Sequence, residues 1–265
     1  MTPPNKERLD VLVLDLGLAE SRSQAHGLIR AGLVRVQGQV ADKPGTRVAT
    51  SAEITVERPP PFVSRGGEKL DGALSRFAID VTGIVAADIG ASTGGFTDCL
   101  LKRGAGRVYS IDVGYGQLDW RLRNNIRVVV MERTNARYLE QLAEPVDIVV
   151  ADVSFISLRL ILPAAVGWLK PSSQIVALIK PQFEAGRADV KKGGVVRDPD
   201  IHWSVLERVL EAAEGHGLGL RGLMPSPLRG RKGNIEFLAW WQLGAQALDV
   251  AEAIESSLEE IEGDE

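Results

Sequence analysis

The sequence predicts an α/β protein in two parts: a small α+β module at the N-terminus, then a larger Rossmann-like domain on a doubly wound, mostly parallel sheet. Three observations carry this expectation. From residue 62 onward apolar strand-like runs alternate with helix-like stretches, the pattern of parallel βαβ units. The first such run, "VAADIGA", opens into the glycine-rich turn "DIGASTGGF" at 88–96, as the first βα loop of a nucleoside-binding sheet does. The stiff string "RPPP" at 58–61 interrupts both patterns and reads as punctuation. The expected limits are 1–58 for the module, 59–64 for a linker and 65–265 for the larger domain.

In chain order, Leu9, Val11, Leu12, Leu14 and Leu16 suggest a first helix. "ESRSQAHGLIRAG" gives a second, with Ser21 to Gln24 as a capping box and Gly32 as its stop. Val34 to Val40 alternates into a short strand and turn, and "EITVE" supplies another strand. In the larger domain, "VAADIGA" is a buried strand and "GGFTDCLLKRGA" a helix. "RVYSIDVG", "IRVVVMER" and "VDIVVADVSF" are the next strands, followed by a helix around 157–169 and "QIVALIKPQF" as a fifth strand. Glu184 to Asp198 is polar and glycine-rich, hence a loop. A helix over 200–215 and two late strands, near 218–226 and 234–243, complete the sheet.

Composition narrows the function classes. With 45% hydrophobic and 25% charged residues, the chain has ordinary globular composition. No apolar run approaches the roughly 18–20 residues of a membrane span, and "MTPPNKERLD" lacks the apolar stretch of a secretory signal. The single cysteine, Cys99, excludes an internal disulfide and fits a reducing cytoplasm, and its apolar setting suggests core packing. One cysteine and three scattered histidines offer no zinc cluster, so no metal is expected. Formal net charge is −4, but the last twenty residues carry eight acids and no base, which leaves the rest at +4. An anionic ligand is therefore permitted, and the acidic end reads as the solvated face of a helix.

The turn at 88–96 admits two chemistries. Gly90-Ala91-Ser92-Thr93-Gly94 satisfies G-x-S-x-G, the elbow that exposes a nucleophilic serine in α/β-hydrolases. That reading needs a histidine in a loop downstream, whereas His202 and His216 fall within or at the end of the predicted helix over 200–215. It also needs the serine mid-sheet, and this turn follows the first strand. The cofactor reading needs an acid at the end of the second strand, about 20 residues on, to hold a ribose diol. Asp112 stands 22 residues after Gly90. Carboxylate to diol is a charge-assisted pairing, and glycines at 90, 94 and 95 let backbone approach a ligand closely. The spacing is not the dinucleotide G-x-G-x-x-G, so a methionine-bearing nucleoside is favoured over a pyrophosphate-linked one. Gly90, Ala91, Ser92, Thr93, Gly94, Gly95 and Phe96 then form its cradle.

The acceptor is constrained next. Amino-methyltransferases place N/D-P-P-aromatic after the fourth strand; this chain has Asp152-Val153-Ser154-Phe155, without prolines. A hydroxyl acceptor needs a base instead, and a lysine serves where nearby positive charge or burial favours its neutral form. Lys180 closes the apolar strand "IVALIK" at the sheet edge where ligands bind.

Two resemblances extend these readings. The spacing S-R-S-x-A-x-x-L-I-x-x-G-x-V-x-V-x-G resembles the αL-type RNA-binding motif of ribosomal small-subunit proteins and pseudouridine synthases. It makes Arg22, Arg30, Arg35, Lys43 and Arg47 candidate RNA contacts. Lys69, Asp152, Lys180 and Glu236 stand in the order K-D-K-E, which resembles the tetrad of FtsJ-like ribose 2′-O-methyltransferases. The strings "VSRGGEKL", "DIGASTGGFTDCLL", "DVSFISL", "LIKPQFE" and "GNIEFL" closely resemble the TlyA (hemolysin A-like) family of ribosomal RNA methyltransferases, from about residue 7 to 243.

That resemblance implies S-adenosylmethionine over 90–96 with its ribose on Asp112. "ERTNARYL" resembles the segment that flanks the adenine, which adds Asn135. It implies Lys180 as acceptor of the 2′-hydroxyl proton, Lys69 and the sulfonium favouring its neutral form, and Asp152 and Glu236 as orienting groups. No metal is required, because the sulfonium is already an activated electrophile. Arg65, Lys191, Lys192, Arg229, Arg231 and Lys232 lie near the tetrad in sequence and could grip phosphates. The expected partner is ribosomal RNA or a ribosomal subunit, with a cytidine as acceptor. A non-catalytic ribosome-binding factor is the alternative; it would not need the whole tetrad. A membrane-active hemolysin would need an uncharged amphipathic face, and the C-terminal helix is acidic, so no membrane partner is expected.

Overall fold

The computed structural model describes residues 5–57, 60–186, 190 and 193–263, with Arg231 and Glu262 described by their backbone alone. The chain divides into two compact units, 1–60 and 61–265.

In the first unit, β1 (Lys6–Arg8) leads into α1 (Leu9–Asp15) and α2 (Arg22–Arg30), followed by β2 (Val34–Val36), β3 (Gln39–Val40), β4 (Arg47–Ala49) and β5 (Ile54–Val56). β2 pairs with β3 and β5, while β1 pairs antiparallel with β4, two short strands that the alternation of side chains did not reveal. Ser21 Oγ accepts the Gln24 N–H at 3.2 Å and so caps α2. Leu9, Val13, Ala25, Ile29 and Val34 fill a small core.

The second unit begins with α3 (Arg65–Arg76), which the sequence reading did not anticipate. β6 (Val85–Ile89), α4 (Gly95–Lys102), β7 (Arg107–Ile111), α5 (Trp120–Arg123) and β8 (Val128–Met131) follow. Next are β9 (Val146–Ala151), α6 (Leu162–Trp168), β10 (Leu169–Ile179), the single turn α7 (Pro181–Glu184), α8 (Pro199–Glu214), β11 (Leu218–Pro225), β12 (Phe237–Leu243) and α9 (Val250–Gly263).

The sheet order is β11-β12-β10-β9-β6-β7-β8, parallel except for β12, which runs antiparallel between β10 and β11. Alternate side chains of each strand serve opposite faces, which is why these strands read as unbroken apolar runs. Ala87, Val149, Ala177 and Trp241 meet α6, α8 and α9 on one face, and Ala86, Val150, Val176 and Leu238 meet α3, α4 and α5 on the other. α9 buries Ile254 and turns most of its acids outward, so the acidic end is a solvated helix face whose other side closes the core.

The segment expected as a linker, 59–64, belongs in part to this unit. Val63 N–H donates to Asp98 Oδ2 at 2.9 Å, and Lys102 Nζ sits 5.1 Å from the centre of the largely buried Phe62 ring. Those contacts to α4 move the start of the second unit from 65 to 61.

Candidate active site

From β6 the chain runs to β7 on one side, and β9 later takes the other, so the strand order reverses beside the end of β6. Ligands of such sheets bind at that switch point, beyond the carboxyl ends of the strands. A cleft of about 820 Å³ opens there. Gly90 has φ +81°, and a Cβ on it would lie 2.7 Å from the Asp152 carbonyl oxygen, so no other residue fits where the loop crosses β9.

Ser92 takes a left-handed conformation, φ +50°, held by the Asp112 carboxylate. Asp112 Oδ2 accepts the Ser92 N–H at 2.8 Å, and Oδ1 accepts the Gly114 N–H at 2.6 Å. Each carboxylate oxygen accepts two bonds, so Asp112 keeps one acceptor site on each for a diol. Gly90, Ala91, Ser92, Thr93, Gly95, Phe96, Asp112 and Asn135 all line the cleft. Gly94 does not: at φ +96° its α-carbon faces Leu118 and Leu122, where a side chain would collide. Its glycine is required by packing and by the start of α4.

Beneath the loop, Asp88 is fully buried. Its Oδ2 accepts from Thr97 Oγ1 at 2.6 Å, and Thr97 in turn meets Ser110 Oγ at 2.7 Å. Asp88 Oδ1 has no hydrogen-bond partner. Burial, reinforced by the negative charges of Asp152 and Asp112, pushes its carboxyl up to about 7. Above it, Asp112 and Asp152 both line the cleft, and two carboxylates there suit a cationic ligand. S-adenosylmethionine, a sulfonium with a ribose diol, fits this donor set. The loop, Asp112 and Asn135 would hold it, and it would supply an activated methyl group.

The four tetrad positions come from separate elements and line the same cleft. Lys69 on α3 pairs with Glu236, just before β12, and both are buried. Lys180, at the end of β10, lies 2.5 Å from Asp152 Oδ1 and donates to Ser154 Oγ at 2.9 Å. The site thus holds two ion pairs that line one cleft.

Residues outside the sequence reading complete it. Gln182 Nε2 donates to Glu236 Oε1 at 2.9 Å. Phe155 is 91% exposed at φ +64° and packs on Phe183 with ring centres 4.9 Å apart. The strings "DVSFIS" and "KPQFE" carried these residues, but an aromatic residue in a left-handed conformation has no local signal.

The cationic residues are less gathered. Arg65 lines the cleft and donates to the Arg229 carbonyl at 2.8 Å; Arg229 lines it too. Lys232 reaches the Gly193 carbonyl at 2.8 Å. Lys191 and Lys192 lie outside the described residues, as does the Arg231 side chain. In the first unit Arg30, Lys43 and Arg47 are exposed. Arg35 is tied to Glu57 at 2.6 Å and to the Gly38 carbonyl, which commits much of it to the small sheet. Arg22, with Arg8 and His26, converges on the fully buried Asp10, at 2.7–3.1 Å. The Arg8 guanidinium, above all, holds that carboxyl well below the usual range.

The hydrolase reading finds no support. Ser92 Oγ meets Gln117 Oε1 at 3.5 Å, and His202 is buried in α8 against Phe237 and the Val196 carbonyl. Among the described residues, no helix is long and apolar enough to cross a membrane.

Comparison with known proteins agrees with this geometry. The FtsJ-like methyltransferase family matches residues 62–243, and the S4 domain family matches 7–54. The chain is 50% identical to the 16S/23S rRNA (cytidine-2′-O)-methyltransferase TlyA of Mycobacterium tuberculosis, over 89% of each chain. It is 43% identical to Hemolysin A of Brachyspira hyodysenteriae, over 88% of this chain and 98% of that one. A solved hemolysin-type chain from Streptococcus thermophilus superposes with a TM-score of 0.73 at 43% identity, covering 98% of both.

Proposed function

This chain belongs to the FtsJ-like methyltransferases, and within them to the TlyA family, and from that premise we propose that it methylates the ribose 2′-hydroxyl of a cytidine in ribosomal RNA. S-adenosylmethionine is its cofactor. The observation that carries the reading is the meeting of Lys69, Asp152, Lys180 and Glu236 in one cleft with the glycine loop.

A ribose hydroxyl gives up its proton reluctantly near neutral pH, so a base in the cleft has to accept it as the new O–C bond forms. Lys180 takes that role. Asp152 and Ser154 aim its amine. The pair Lys69–Glu236 orients the hydroxyl, and the exposed face of Phe155 offers an unstacked base a surface. Alignment of hydroxyl and methyl supplies most of the acceleration. The S4 domain supports the RNA or ribosome as partner, with Arg30, Lys43 and Arg47 as its phosphate contacts and Arg65 and Arg229 at the cleft.

Ribosomal RNA from cells with and without the protein should differ by 2′-O-methylcytidine at discrete positions. Identical ribose methylation maps, or a difference confined to base methylation, would sink the proposal. Asp112→Ala should weaken S-adenosylmethionine binding by roughly 1.5–3 kcal/mol, the size of a hydrogen bond to a charged group. Calorimetry giving wild-type affinity on the folded variant would remove Asp112 from the cofactor's contacts.

A further inference from the structure

We propose that Gln182 and Glu184, on the one helical turn that follows Lys180, are positioning residues that set the spacing between the two ion pairs and hold the loop carrying Phe155. The proposal rests on the methyl-transfer reading above. The turn is stiff: Pro181 fixes its first φ, the Phe183 N–H bonds the Lys180 carbonyl at 2.9 Å, and the Ala185 N–H bonds the Pro181 carbonyl at 2.9 Å.

Lys180 is the extended residue that caps the turn, and the side chains around the turn reach two different places. Lys180 and Glu184 grip one loop, the segment after β9. Lys180 takes Asp152 and Ser154; Glu184 accepts Ser157 Oγ through Oε2 and the Leu158 N–H through Oε1, each at 2.6 Å. Gln182 faces the other pair. Its amide donates to Glu236 Oε1, while Glu236 Oε2 takes Lys69. Both oxygens of Glu236 are thereby directed. Lys180 and Gln182, two residues apart, thus hold Asp152 and Glu236, while Glu184 holds the loop that follows Asp152.

Glu184 does more than close a loop. It is a buried carboxylate, which is costly unless compensated; two short hydrogen bonds and Arg159 at 3.8 Å compensate it. Between the fastened ends of its loop lies Phe155 at φ +64°, a conformation an aromatic side chain keeps only when its surroundings impose it. Phe183, from the same turn, packs on that ring. Turn and loop together hold an exposed aromatic face in a strained pose at the mouth of the cleft. Gln182 therefore acts on the reacting groups, and Glu184 on the surface the RNA meets.

These two roles separate kinetically. Gln182→Leu should lower kcat by about a hundredfold, the cost of a small misplacement at a reacting centre, and leave KM for RNA unchanged. Glu184→Gln should instead raise KM for RNA by about tenfold, the worth of one charge-assisted hydrogen bond, with the smaller change in kcat. Ser157→Ala removes the same bond from the loop side and should copy Glu184→Gln, so a fold defect peculiar to one variant does not decide the result. S-adenosylmethionine affinity should stay at the wild-type value in all three, and it also reports the folded fraction. A wild type that transfers no methyl group to ribosomal RNA overturns the functional reading. An active wild type whose variants lose kcat and KM in the same proportion, or lose cofactor affinity, overturns the positioning roles.

Discussion

Lys180→Arg should transfer methyl groups about a hundred- to ten-thousandfold more slowly than wild type, the range lost with a general base. Lys180→Ala should be as slow. Cofactor and RNA affinities should be unchanged in both, because the proposed role is confined to the reacting proton. The arginine variant is the informative one. It keeps the positive charge beside Asp152, which lies 2.5 Å from the lysine, but a guanidinium cannot release its proton near neutral pH. A residue that only steadies Asp152 would be replaced by arginine with modest loss. Substantial activity in Lys180→Arg would assign the base elsewhere.

How much of this was legible in the sequence differs from element to element. The strands were, because each is buried on both faces and so forms a continuous apolar run, as in "VAADI" and "IVALI". The glycine loop and Asp112 were, because close backbone approach restricts residue type and the spacing places an acid at the end of the neighbouring strand. Helix α3 was not. Gly66, Gly67 and Gly72 thin its apolar stripe, yet it carries Lys69, which only the resemblance singled out.

Gly94 carries a packing constraint that was not legible. It depends on Leu118 and Leu122, two dozen or more residues away, and no local pattern reports them. Glu184 read as the start of a polar loop, because nothing in "QFEAG" tells that its carboxylate is spent on Ser157 and Leu158. Arg35 looked like a surface cation until Glu57 appeared across the sheet. In each case the missing information is a tertiary partner, which composition and periodicity do not encode.

Removing residues 1–60 should leave a protein that binds S-adenosylmethionine as wild type does but binds ribosomal RNA on the order of a hundredfold more weakly at low salt. The cut matters. Phe62 and Val63 pack on α4, the helix that begins at the glycine loop, so a deletion extended to 64 would disturb the cofactor site as well. The remaining unit keeps both sheet-face cores intact and all the residues lining the cleft. What it loses is the S4 domain, with Arg22, Arg30, Lys43 and Arg47 exposed on it. Each phosphate these neutralise releases counterions, so the logarithmic salt slope of RNA binding should become shallower by about 2 for three lost contacts. Arg22 and Arg35 are left out of that count because Asp10 and Glu57 already pair with them. A truncated protein with the wild-type RNA affinity and the wild-type salt slope would show that recognition resides wholly in the catalytic unit.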